Sequence, residues 1–210
     1  LLMIPMMILS GAMFPFDKLN RSISSVEKVP LIAEIMPTKW SYEALMVNQY
    51  KNNDYEAYFY DLKKKESQAN FKQVYYIPEL EKSIEYIDNN LDKREDPEIR
   101  EQLKDELELL HNELGEEVGR TGMEFSSLHL LELNRMNREV LIEINDFIKR
   151  LNSYYQNEFQ KASTKLDNIR SYLTDKNPRL YRRKKDNYHN ESVADQVKKV
   201  FEKNKIIEYK

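Results

Sequence analysis

Few residues in this chain are spaced for bond-making chemistry. Its histidines are His111, His129 and His189, and none belongs to an H-E-x-x-H pair. Glu108 and His111 have the Glu-x-x-His spacing of di-iron helix bundles, which places both side chains one turn apart on a single helix face. Such a site also needs a second Glu-x-x-His and two further glutamates on facing helices, and no second copy occurs. The absence of cysteine excludes disulfides, thiol nucleophiles and any zinc site with a Cys ligand. The four glycines, Gly11, Gly115, Gly119 and Gly122, make neither a phosphate-binding loop nor a dinucleotide fingerprint. Nothing resembles the serine turn of an α/β hydrolase. The expectation is a stretch with no catalytic, metal or cofactor site of its own.

The one basic run, RLYRRKK from Arg179 to Lys185, has two readings. It is a solvated loop balanced by the carboxylates around it, or it contacts anionic lipid headgroups or an acidic partner. The first is the expectation, because net charge is only −3 over 210 residues and no bulk field argues for nucleic acid.

The elements that carry these residues are expected to be helical. Charged residues make up 33% of the chain and glycine is scarce, a composition that favours long helices over sheets. Ile77, Leu80, Ile84, Ile87 and Leu91 follow steps of 3, 4, 3 and 4, which is a heptad seam. Asp96 and Pro97 read as cap and first residue of a second helix, carrying Ile99, Leu103, Leu107, Leu110, Leu114 and Val118 and ending at Gly119. A third apolar series runs from Leu133 through Met136, Val140, Ile144, Phe147, Leu151, Tyr155, Phe159, Ala162, Leu166 and Ile169 to Leu173. Unbroken from about Ser126, that helix would be roughly 70 Å long. A helix of that length needs its stripe covered, so the expected fold is all-α, with an elongated antiparallel hairpin or coiled-coil bundle. Residues 174–191 read as a polar break before a last helix capped by Ser192.

The first sixteen residues obey a different rule. From Leu1 to Phe16 there is no charged side chain. The run has no polar face for a surface helix, and alone it is too short for a hydrocarbon core of about 30 Å. It lacks the basic start and small-x-small end of a signal peptide. It reads as the end of a transmembrane helix in a longer parent chain, with a buried helix of a soluble protein as the alternative. Downstream, Thr38 after Pro37 reads as an N-cap, and Glu43 lies close enough to that start to favour the helix dipole. Trp40, Ala44, Val47 and Leu45 supply an apolar side, and Trp40, Tyr42 and Tyr50 are rings of the kind enriched where membrane meets water.

Read together, LSGAMFPFDKLN and PTKWSYEALMVNQYKNNDY resemble the end of the membrane domain of ATP-binding-cassette exporters of the type-2 permease class, in the G-subfamily or White-type arrangement. The matching positions are Gly11, in a small-residue turn with Ser10, and Pro37, Trp40, Tyr42, Glu43, Ala44, Leu45, Asn48 and Tyr50. Gln49 departs from the acidic residue often found there. The likeness covers about residues 1–56, and some 150 helix-rich residues follow where eukaryotic members return to the membrane. That arrangement looks like large bacterial fused cassette–permease proteins with an inserted domain.

The resemblance implies an organisation and a setting. Residues 1–16 would end a transmembrane helix, 17–60 form the re-entrant outer connector, 61–76 a linker, 77–173 a helical extracytoplasmic domain, and 174–210 a polar loop and terminal helix. The setting would be a cell (inner) membrane, with the chain beyond about residue 17 on the periplasmic side. Partners would be the lipid bilayer, the nucleotide-binding domain and other membrane helices of a dimeric transporter, and a periplasmic protein. ATP and Mg would belong to the parent, outside this stretch. The runner-up is a soluble or membrane-anchored coiled-coil scaffold with no role in transport.

Overall fold

The computed structural model describes residues 35–191 and 193–194, and every regular element among them is helical. The α-helices are α1 (Pro37–Lys51), α2 (Tyr60–Phe71), α3 (Ile77–Asn90), α4 (Pro97–Thr121), α5 (Arg138–Lys176) and α6 (Pro178–Tyr188). Among the described residues no helix is long and apolar enough to cross a membrane. The expected membrane-helix end at 1–16, Gly11 within it and the cap at Ser192 lie outside the described residues. The chain divides into two compact units, one drawn from 1–65 and 162–210, the other being 66–161.

The 66–161 unit is built on the heptad seams. Ile77, Leu80, Ile84 and Ile87 are buried on α3, Leu91 in the 3-10 turn that follows it, and Leu103, Leu107, Leu110 and Leu114 on α4. Ile144, Phe147 and Leu151 of α5 are fully enclosed. At about 25 cal/mol per Å² of apolar surface, such side chains contribute roughly 1.5–3 kcal/mol each, which is what holds these helices together. Two contacts set the direction of α3 against α4: Tyr86 donates to Gln102, and Tyr76 donates to Glu113 Oε2 at 3.0 Å. Residue numbers fall on one helix as they rise on the other, so the pair is antiparallel, as the short connection between them requires.

The step from α4 to α5 differs from the expected short turn. Helix α4 runs past Gly119 and ends at Gly122, whose φ of 70° is left-handed; its N–H bonds the Val118 carbonyl at 2.9 Å. An added Cβ there would meet nothing within 4 Å, so the backbone angle and not space calls for glycine. The apolar spacing through Leu133 suggested a helix from Ser126, but only Ser126–Leu130 is coiled, as a 3-10 segment, and α5 begins at Arg138. Asn137 marks that start: its Oδ1 accepts from the Val140 N–H at 2.9 Å, the bond an N-cap makes. Helix α5, at 39 residues, is thus about 58 Å long instead of 70 Å. The connection 122–137 lies back along α4, where His111 Nδ1 bonds the Leu128 carbonyl at 3.1 Å. Arg138 then pairs with Asp92 near the start of α4, while Tyr155 reaches Glu117 near its end. Helix α5 therefore runs parallel to α4, not antiparallel.

Two further starts differ from expectation. At α1 the cap position is Met36, with no side-chain bond, and Thr38 lies inside the helix behind Pro37. Residues 178–188, read as a polar break, form α6, because Asn177 Oδ1 accepts from the Leu180 N–H at 3.0 Å and Pro178 pre-sets the first helical φ. The stretch 61–76 is helical, passing from α2 through a wide π turn, Lys72–Tyr76, into α3. There the Ile77 N–H bonds the Lys72 carbonyl five residues back. Pro78 follows at once; it has no N–H to give, and its ring would crowd the carbonyl four residues earlier, which a widened turn relieves.

The other unit has a smaller core. Tyr55, Phe59 and Leu166 are buried together, with Leu62, Ile169, Leu173 and Tyr181 packed around them.

Candidate functional site

The motif residues sit on α1. Pro37 opens the helix, Tyr42 and Tyr50 are half-buried, and Trp40, Glu43, Ala44, Leu45 and Asn48 are exposed. Tyr50 meets Tyr60 of α2 edge to face, with centroids 5.7 Å apart. Burial, with the nearby Glu56 charge, raises the Tyr50 phenol above its ordinary range, so the ring stays neutral. Glu43 lies in the second turn, beyond the N-terminal N–H groups, so the dipole is not its partner. Its carboxylate stands 3.6 Å from the buried Lys39 ammonium one turn back, and that ammonium lies 4.2 Å from the Trp40 ring. The structure thus brings Trp40 and Glu43 together through a lysine that the sequence motif did not include.

Large apolar side chains around this helix stay exposed: Ile35 by 77%, Trp40 by 53%, Leu45 by 68% and Val47 by 53%. At 100° per residue Trp40, Ala44 and Val47 share one side and Leu45 stands on another. Apolar side chains are thus exposed on more than one side of α1, among exposed polar ones such as Ser41, Asn48 and Gln49.

Two polar networks were not anticipated. In the 66–161 unit Glu117 is fully buried; it accepts from Lys72 Nζ at 2.7 Å and from the Tyr155 hydroxyl at 2.5 Å, and Arg120 lies 3.6 Å away. The Lys72 ammonium also sits 3.3 Å from the Tyr76 ring. Burial depresses the Lys72 pKa, opposed by the bond to Glu117, and burial with the same carboxylate pushes the Tyr155 phenol upward. This network fastens the π turn to α4 and α5.

In the other unit the Asn53 side chain folds a turn by accepting from the Tyr55 and Glu56 N–H groups. That turn buries Glu56, whose carboxylate accepts from Lys63 Nζ at 2.7 Å and from His189 Nδ1 at 2.5 Å. Asn53 also donates to the Tyr188 carbonyl, so the end of α6 is fixed on this turn.

Among the described residues no group of three His, Asp or Glu side chains is placed to hold a metal, and Glu108 and His111 do not converge with further ligands. An open depression lined by Glu124, Phe125, Ser126, Glu143, Asp146, Lys149 and Arg150 has mixed charge, and Arg150 is already bonded to the Glu124 carbonyl. Beside it the Ser127 hydroxyl donates to the Glu143 carboxylate. No family model, curated protein or solved structure matches this chain.

Proposed function

We propose that this chain is part of the membrane domain of an ATP-binding-cassette exporter and carries a helical insertion outside the cytoplasm. The observation that supports it is the surface of α1, where Trp40, Leu45 and Val47 stay exposed within the stretch that resembles the permease motif. Exposed apolar side chains on two sides of a short helix gain free energy from a bilayer edge or from neighbouring membrane helices, and an aromatic ring suits that boundary. The uncharged run Leu1–Phe16 gives the same direction. The insertion, an elongated coiled-coil-like bundle in this reading, docks a partner or stiffens the outer gate. ATP hydrolysis and the transport path belong to the parent, which acts as a dimer.

These 210 residues hold no cysteine, so in a parent chain whose other cysteines are replaced, single substitutions report cleanly. In intact cells Met6→Cys and Leu9→Cys resist a membrane-impermeant thiol reagent, while Asn52→Cys reacts. The native assembly, purified through an epitope on α4, hydrolyses ATP with sensitivity to vanadate. Equal labelling at all three positions would overturn the membrane reading. An assembly without ATPase activity would leave the coiled-coil scaffold as the better account.

A further inference from the structure

The basic run is a helix with two distinct sides. Tyr181 turns inward, its hydroxyl 3.2 Å from that of Tyr55, and Lys184 bonds the Asp54 carbonyl at 3.4 Å. With the Tyr188 carbonyl held by Asn53, these contacts fix one side of α6 to the turn that follows α1. Arg179, Arg182 and Arg183 are left on the outer side and Lys185 on its flank; all four are exposed, and none pairs with a carboxylate among the described residues. Within α6 five cations, those four and Lys184, stand against a single acid, Asp186.

Some exposed cations elsewhere sit in ion pairs with acids one turn away, as in Lys82–Glu79, Lys149–Asp146, Lys161–Glu158 and Arg170–Asp167. On α6 the one acid, Asp186, follows Arg182 by four residues and Arg183 by three without closing an ion pair with either. The opposite side is held rigidly, so the guanidinium groups are presented without the cost of ordering the helix. Arginine forks match phosphate oxygens bidentately, and a row of them fits a planar array of phosphates better than one isolated anion.

We infer that the outer side of α6 docks on the anionic headgroups of a phospholipid membrane. An acidic protein would also complement the charge. The membrane is favoured because the same unit includes α1 with its exposed Trp40, Leu45 and Val47, and because the sequence carries an uncharged apolar run of sixteen residues at 1–16. This inference rests on the membrane reading of the chain, and its test separates the two.

The test uses the full 210-residue chain carrying Asn187→Cys, labelled with a fluorophore that transfers energy to acceptor lipids. It is mixed with vesicles of phosphatidylcholine alone or with phosphatidylglycerol added, and Trp40 emission is followed in the same samples. Transfer from the label is expected to be stronger with the anionic lipid than with the neutral one, and that excess falls as salt rises. Each cation near an anionic surface is worth about fivefold in partitioning, so Arg182→Ala with Arg183→Ala weakens the anionic component about 25-fold. Arg182→Lys with Arg183→Lys retains most of it, and circular dichroism checks that α6 remains folded in both. Equal transfer in neutral and anionic vesicles, or no effect of the double alanine change, would overturn the inference. If the label responds to anionic lipid while Trp40 stays in water, the α6 docking stands and the membrane placement of α1 fails.

Discussion

Removing the charge at Glu117 tests whether its buried network holds the 66–161 unit in register. In Glu117→Gln the amide keeps an oxygen for the Tyr155 hydroxyl, but the Lys72 ammonium, whose side chain is 3% exposed, loses its carboxylate at 2.7 Å. Leaving one member of a buried pair charged costs about 3–5 kcal/mol, against a total of about 5–15 kcal/mol for a domain. Arg120 recovers little of this, since it is half exposed and also pairs with Glu116. Replacing both ions, Lys72→Met with Glu117→Gln, removes the stranded charge and restores most of the loss, because paired desolvation was as costly as the pair was attractive. The assay is urea unfolding read by hydrogen exchange in peptides of α3, α4 and α5, which reports this unit without assuming that both units melt together. The cycle should give a coupling of about 2 kcal/mol or more. Additivity within about 0.5 kcal/mol would refute the network's role.

Three other outcomes follow from the same structure. Gly122→Ala places a side chain at a φ of 70° and should cost about 1–2 kcal/mol in the melting of this unit, whereas Gly119→Ala, in helical backbone, should be neutral or stabilising. The Tyr155 phenol is raised above its ordinary 10.0, so above that pH the unfolded chain sheds a proton that the folded chain keeps; stability should fall as pH rises through 10, and Tyr155→Phe should flatten that slope. Glu43→Ala should lower exchange protection across α1 by about 1 kcal/mol, discounted for its half-exposed carboxylate, and Lys39→Met should remove most of that difference.

The seams were legible because each apolar step of 3 or 4 recurs along its helix, and burial at Leu80, Ile84, Leu107, Leu110 and Ile144 follows that pattern. Ends were harder to read. Apolar spacing continues through Leu133 and Met136, which hid the Asn137 cap, and the charges after Asn177 hid a helix start that the pair Asn177–Pro178 signals. The direction of α5 could not be read either, since it depends on where residues 122–137 lie and not on their length alone. Glu117 did leave a mark: after Leu103, Leu107, Leu110 and Leu114, the next step of 3 lands on it, a carboxylate in a seam position. A charge at such a place requires a buried partner, and Lys72 lies in a π turn that helical counting does not foresee. The pairing of Glu56 with His189 spans 133 residues, which no local pattern encodes.

The central claim is that α1 meets the apolar edge of a membrane, and Trp40, the sole tryptophan, reports on it without labelling. The measurement is quenching of Trp40 emission by phosphatidylcholine brominated along its acyl chains, with the full chain reconstituted in vesicles. The account predicts a blue-shifted emission and quenching strongest for bromines nearest the headgroup. A red-shifted emission, quenched by aqueous iodide and untouched by the brominated lipid, would contradict it.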